Sequence, residues 1–269
     1  MKNNERRRIF VIGNEKGGAG KTTCSMHLIT GLLYKGHTVA SIDIDSRQGS
    51  LTSYLKNRDN YNIQNPNEMV FVPQHFHLTE SVEHTIEKKE EDEKAKFEQA
   101  FEQAKNSDYI VIDTPGNYSF LSRLAHSYAD VIITPINDSF LDLDVMAKIN
   151  SLDLSVITPS IYSQMIWEQK MQKASRTGEA IEWIVMRNRL SNLDAINKRK
   201  VGAVLERLAK RISFKIAPGF SERVIFRELF LQGLTLQDLT IANHGKTLNV
   251  SHILARQELR DFLNFISID

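Results

Sequence analysis

Between an apolar run, Ile9-Phe10-Val11-Ile12, and a helix-forming segment, Ser25 to Thr30, lies Gly13-Asn14-Glu15-Lys16-Gly17-Gly18-Ala19-Gly20-Lys21-Thr22-Thr23. Strand, glycine-rich loop and helix in that order form a phosphate-binding loop. Gly17, Gly18, Ala19 and Gly20 carry too little side chain to stop successive backbone N–H groups turning inward. The helix starting at Lys21 adds its partial positive charge. In such a loop Lys21 reaches the β- and γ-phosphates, the Thr22 hydroxyl ligates Mg²⁺, and Thr23 completes the cradle. One position departs from the ordinary pattern. Five residues before Gly20, where a glycine is usual, stands Glu15; Lys16 follows it, so the loop carries a lysine at each end.

A phosphate loop needs a sheet behind it, and the rest of the chain alternates strand and helix. Strands are expected over 9–13, 38–44, 109–113, 131–135, 181–186 and 214–216, with a short one over 69–72. Helices are expected over 21–35, 50–57, 143–152, 161–173, 194–211, 222–231 and 250–266. The charged stretch 79–105 reads as a solvated helix, with Phe97, Phe101 and Ala104 on its buried side, and 59–66 reads as a polar loop. The expected fold is α/β: one domain over residues 1–269, a mainly parallel sheet covered by helices on both faces.

Composition narrows the setting. A chain with 41% hydrophobic residues can bury a sizeable core, and a formal net charge of +1 excludes a globally basic nucleic-acid binder while allowing a basic patch. Cys24 is the single cysteine, which argues against a disulfide framework or a Cys-rich metal site and for a reducing cytoplasm. The chain enters its first strand without a signal-peptide pattern, and no apolar run is long enough to span a bilayer.

The double-lysine loop resembles the deviant Walker A motif of the ParA/MinD family of P-loop ATPases. The resemblance extends to Asp45-Ser46-Arg47-Gln48, to Thr134 through Phe140, to Trp183 through Leu190 and to Arg223 through Phe230. Within the family it is strongest to the division-site regulators. It implies that Lys16 crosses the interface of an ATP-bound homodimer and touches the partner's phosphates, as an arginine finger does. Asp113, ending an apolar strand before Thr114-Pro115-Gly116, resembles the family's Walker B element and would hold Mg²⁺-bound water. Asp43 is assigned to the same Mg²⁺ shell, and Asp45, beyond the turn, to the attacking water. Helix capping is the alternative for both carboxylates.

The base is expected to be adenine. Guanine recognition uses Asn-Lys-x-Asp, and the nearest stretch here, Asn197-Lys198-Arg199-Lys200, lacks the acid. Asn188, Arg189 and Pro218 match the positions the family places around the base.

The resemblance implies a cycle in which ATP-free monomers bind a ParB-like partition protein, while ATP-bound dimers bind non-specific DNA and prevent FtsZ polymerisation. Candidate DNA contacts are Lys198, Arg199, Lys200, Arg207, Lys210 and Arg211 on one amphipathic helix, joined by Arg223 and Arg227. The protein is expected in the cytoplasm, on the nucleoid and near origin-bound ParB. A ParA-type partition ATPase for chromosomes, plasmids or cargo is the alternative. A MinD-like membrane ATPase would need a basic amphipathic carboxyl-terminal helix, whereas 253–263 is mixed in charge and reads as a docked core helix.

Overall fold

The computed structural model describes residues 7–150, 155–190, 195–239 and 249–266, with the backbone alone at 195–198. Apolar runs in the sequence become strands buried on both sides. In β1 (Arg8–Ile12), Ile9 and Val11 enter one core while Phe10 and Ile12 enter the other. The same split recurs in β4 (Tyr109–Asp113) and β8 (Glu182–Asn188). Residues alternating between two dry faces must all be apolar, which is why these strands read as unbroken runs.

Seven strands form one sheet in the order β3-β2-β4-β1-β5-β8-β9, with every pair parallel. The remaining members are β2 (Val39–Asp43), β3 (Gln74–His77), β5 (Val131–Asn137) and β9 (Lys215–Ala217). One face carries α3 (Ile86–Gln103), α4 (Phe120–Tyr128), α6 (Ile161–Thr177) and α7 (Ala195–Ile212). The other carries α1 (Lys21–Tyr34), α2 (Ser50–Gln64), α8 (Ile225–Gln232) and α9 (Val250–Phe265). The sequence order reverses around β1, so the crevice at its carboxyl end is where an open α/β sheet takes a ligand.

Three local expectations are corrected. Residues 59–64 continue α2 rather than forming a loop, because Tyr61 packs on the core and Asn62 is buried. Residues 69–72 are not a strand. The Asn62 amide exchanges two hydrogen bonds with the Val70 backbone and Arg58 Nε donates to Phe71 O, fixing the segment under α2. The edge strand falls instead at Gln74–His77, pairing with β2. The 143–152 helix is also absent. A short α5 (Phe140–Leu143) is followed by a hairpin of β6 (Ala147–Ile149) and β7 (Val156–Pro159), with 151–154 outside the described residues. Ser160 and Ser163 hold the Val145 and Met146 carbonyls, which a continuous helix would have used itself.

The carboxyl-terminal half of the second face is anchored by a buried ion pair. Arg58 meets Asp238 through two hydrogen bonds of 2.7 and 2.8 Å, both side chains fully buried. Tyr34 and Thr235 hydroxyls complete the carboxylate, which burial alone would have driven neutral; these partners keep its pKa below the usual range. The pair ties α1 and α2 to the turn after α8, and α8 forms one wall of the crevice.

Candidate functional site

Gly20 begins the site. Its φ of +91° and its position against β8 both exclude a side chain: a Cβ there would lie 2.1 Å from Asn188 Nδ2. That amide donates instead to Ala19 O at 2.9 Å, bracing the loop from the neighbouring strand. Asn14 ties the other end, donating to Pro135 O at 2.7 Å and accepting from Lys16 N at 2.6 Å. The loop is thereby held between β5 and β8 before any ligand arrives, which is the preorganisation that anion binding needs.

The two lysines part company. Lys21 is buried, and its ammonium lies 3.2 Å from the Lys16 carbonyl. Burial lowers its pKa, while Asp113 and Asp45 act in the opposite sense. The Lys16 side chain turns away from the cleft. Its ammonium meets Asp142 of α5 at 2.6 Å, with Lys16 40% exposed and Asp142 7%. Asp142 is in turn held by the Ser139 hydroxyl. The sequence singled out Lys16 but not its partner.

Asp113 stands where the sequence put it, at the end of β4 and behind the loop. Thr22 Oγ1 donates to it at 2.7 Å and Ser25 Oγ at 2.9 Å. Burial and neighbouring Asp43 push its pKa up to about 7, against the pull of those hydroxyls and Lys21. A carboxylate so short of positive charge, with a threonine hydroxyl at the cleft edge, fits a hydrated divalent cation bridging to phosphate. Thr22 would be the direct ligand and Asp113 the acceptor from bound water. No cluster of three or more His, Cys, Asp or Glu suited to a metal occurs among the described residues. An Mg²⁺ site here therefore needs the phosphates themselves, as Mg²⁺ sites commonly do.

The two strand-end aspartates behave differently. Asp43 is fully buried and both its oxygens are engaged, one with Asp45 N and the other with Thr52 N and Oγ1. The side chain turns onto α2 and satisfies one of that helix's free N–H groups, while staying close enough to Asp113 to raise that residue's pKa. Asp45 sits past the turn, its carboxylate accepts from Arg47 N and Gln48 N, and it lines the cleft.

The cleft has a volume of about 440 Å³ and is lined by Gly17, Gly18, Lys21, Thr22 and Asp45 together with Gly116. A second cavity of about 360 Å³ continues past Gly20 and Thr23, between Asn188, Arg189, Phe226 and Phe230. Phosphates in the first and an aromatic base in the second match the charge and lining of each. Arg189 borders both and takes a left-handed φ of +51°. Pro218, expected near the base, is exposed and borders neither cavity. Phe220 N bonds Arg187 O, and a Cβ at Gly219 would lie 2.1 Å from that same oxygen. This close passage turns Pro218 outward and brings Ser221 and Phe226 to the cavity instead. Ser25 and Phe226 escaped the sequence reading, because their roles depend on which strand ends lie beside them.

His27 links this region to the carboxyl-terminal turn. Its Nδ1–H donates to Thr23 O, and Nε2 accepts from Leu236 N, which requires the neutral ring. His126, beneath Gly13, is equally buried. Burial pushes both down to about 4 from the ordinary 6.5. The unfolded chain therefore binds these protons first as pH falls, and stability is lost from about 6.5 downward to 4. Between pH 7 and 5 each histidine should remove about 2 kcal/mol, read as a falling urea midpoint. A midpoint flat over that range would show that the rings are not held neutral.

The basic helix is α7. Arg199, Lys200, Arg207 and Lys210 are exposed; Lys198 lies outside the described side chains. Arg211 donates to Val156 O at 2.6 Å, beside the β6–β7 hairpin. Arg223 is engaged with Glu258 at 2.7 Å and Arg227 with Glu222 at 3.5 Å. Neither adds an unpaired cation to the helix, so the expected extension of the patch is corrected.

Residues 8–269 match the family model for the ATPase MipZ. The chain belongs to the MipZ family. It is 27% identical over 165 residues to the sporulation initiation inhibitor protein Soj of Bacillus subtilis, covering 53% of this chain and 63% of Soj, less than two thirds of that relative. Solved structures share its fold at low identity. The septum site-determining protein MinD of Pyrococcus horikoshii, complexed with Mg-ADP, has a TM-score of 0.59 at 18% identity, covering 98% of this chain and 97% of that one. A McdA–ATP complex of Cyanothece gives 0.60 at 16%, covering 96% and 98%. A plasmid partition protein of Borrelia burgdorferi bound to AMPPNP gives 0.58 at 18%, covering 97% and 100%.

Proposed function

We propose that this chain is an Mg²⁺-dependent ATPase used as a dimerising switch, which positions the division site by inhibiting FtsZ polymerisation. The observation that carries the reading is the separation of the two lysines. Lys21 supplies the cation of its own cleft, while the Lys16 ammonium stands outside it, partly exposed, on Asp142. A cation so placed is available to a second subunit's phosphates, where charge develops in the transition state. Lys16, Lys21 and Asp45 are the catalytic set; Gly17 through Thr23, Asn188 and Arg189 hold ATP; Thr22 and Asp113 serve Mg²⁺.

In the dimer the exposed cations of α7 act together on DNA without reading sequence, because weak phosphate contacts on two subunits reinforce one another. A ParB-like protein binds the monomer and places it near the origin, in the cytoplasm and on the nucleoid. Among the described residues no helix is long and apolar enough to cross a membrane, and α9 is docked, its Ala255, Leu259, Phe262 and Leu263 buried in the core. Relatives whose names concern septum placement and sporulation inhibition favour the division role; the plasmid partition neighbour favours cargo partition.

FtsZ pelleting separates these two. ATP-bound protein should shorten FtsZ filaments and reduce the pelleted fraction, whereas ADP-bound protein should not. No effect in either state would move the function to partition.

Asp142 offers a second handle. In Asp142→Asn the Lys16 ammonium of each subunit loses its resident counterion, so the ATP-dependent dimer should form at protein concentrations lower by up to about thirtyfold, seen by sedimentation. An unchanged threshold would show that the ion pair does not oppose dimerisation.

A further inference from the structure

A groove of about 650 Å³ opens between α6, the carboxyl end of α7 and the start of β8. It shares no lining residue with the nucleotide cleft. Helix α6 has two apolar faces. Tyr162, Met165 and Ile166 enter the core, as one face of an amphipathic helix should. On the outward side Trp167 is 63% exposed and Met171 51%, one turn apart, with Ile161 at 69% further along the helix. A solvated face has no use for such a series of large apolar side chains.

The groove is flanked by two cations, Lys170 and Arg211, whose hydrogen bonds are to backbone carbonyls. Lys170 donates to Ser213 O at 3.2 Å and stands 5.6 Å from the Trp183 ring; Arg211 donates to Val156 O. Among the described residues neither meets a carboxylate. The lining contains a single acid, Glu168. Lys170 is half-buried, and desolvation alone lowers its pKa, so a carboxylate arriving beside it would relieve a cost already present.

We propose that this groove docks an acidic amphipathic helix of a partner protein, apolar side chains against Trp167 and Met171 and carboxylates on Lys170 and Arg211. The occupant follows from the charges. A second copy of this chain docked groove to groove would set Lys170 and Arg211 against their own equivalents. A nucleic acid would meet Glu168 and an apolar floor. Trp167 and Met171, one turn apart and both on the groove's lining, give a docked helix its apolar contact. Trp183 lies at the amino end of β8, and Asn188, beside the nucleotide cavity, lies about 17 Å further along it. The groove and the nucleotide site can therefore be filled together.

The chain has two tryptophans, Trp167 and Trp183, and both line the groove, so intrinsic emission reports its occupancy. The probe is a helical peptide of three to four turns, with leucine along one face and glutamate elsewhere, titrated into the full chain. A saturable blue shift is expected. The same peptide with lysine for glutamate, and a single-stranded oligothymidylate, should cause none. Lys170→Glu should weaken the glutamate peptide by about tenfold or more, the loss of one charge-assisted contact turned to repulsion. Lys170→Gln, the milder change should the first fail to fold, should weaken it by a smaller factor. The circular dichroism of both variants should match the parent. No saturable shift, equal binding of the lysine peptide, a response to the oligonucleotide, or an affinity indifferent to both Lys170 variants would overturn the proposal. So would an emission change that tracks protein concentration alone and accompanies self-association, which would assign the groove to a second copy.

Discussion

Lys16→Ala is expected to leave nucleotide binding by the monomer intact and to abolish the ATP-dependent dimer. The loop's own use of residue 16 is through its backbone: the N–H donates to Asn14 Oδ1, and the carbonyl accepts from Lys21 Nζ. Alanine keeps both, so the phosphate cradle should survive. What goes is the ammonium, which in the monomer touches Asp142 and nothing in the cleft. If that ammonium completes a partner's site, turnover should fall by about a thousandfold or more, the scale of a finger-type cation. A fluorescent ATP analogue should still bind with an affinity within a few-fold of the parent, while sedimentation shows monomer at every ATP concentration. A variant that dimerises normally with ATP would refute the trans role and leave Lys16 a surface cation.

Asp45→Ala should do the opposite to the equilibrium. Asp45 accepts two turn N–H groups, from Arg47 and Gln48, and otherwise faces the cleft beside Lys21 and Thr22. Its contribution to the fold is one turn, worth about 1 kcal/mol. If it orients or activates the attacking water, as proposed, it should contribute about a hundred- to ten-thousandfold in rate. The variant should therefore bind ATP, dimerise and stay dimeric, with phosphate release slowed by that factor. Rapid turnover in a well-folded variant would remove Asp45 from the chemistry. The neighbouring Asp43 cannot give so clean a result, because its carboxylate holds Thr52 and the start of α2.

The nucleotide site was readable wherever its chemistry is local. Glycines, lysine and threonine at fixed offsets make the loop, and an acid ending an apolar strand announces Asp113. That the sheet is mainly parallel and covered on both faces followed from runs that are apolar throughout, whereas the strand order is set by pairings between segments distant in sequence. What escaped depends on neighbours distant in sequence. Ser25 is an ordinary helix residue until β4 brings Asp113 within 2.9 Å of its hydroxyl. Asp43 reads as a strand-end carboxylate, and its hold on the start of α2 shows only once Thr52 is beside it. The edge strand β3 is Gln-His-Phe-His, with no apolar run to reveal it. It is stitched to β2 by His75, which reaches both the Ser41 and Thr52 hydroxyls. The apolar 69–72, which looked like the strand, instead serves α2. The 143–152 misreading has the same origin: its leucine, valine and methionine spacing suits a helix, but two serines on α6 claim its carbonyls.

The contact between Lys16 and Asp142 has an arithmetic consequence for assembly. If the proposed dimer places each Lys16 on the partner's phosphates, two such contacts are released as it forms, one from each chain. Any free energy held in one ion pair therefore enters the association constant twice. A partly exposed pair worth about 1 kcal/mol would raise the dissociation constant by about thirtyfold rather than about fivefold. A single carboxylate on a one-turn helix thus acts as a squared brake on assembly, and small changes in its strength would reset the concentration at which the protein begins to work.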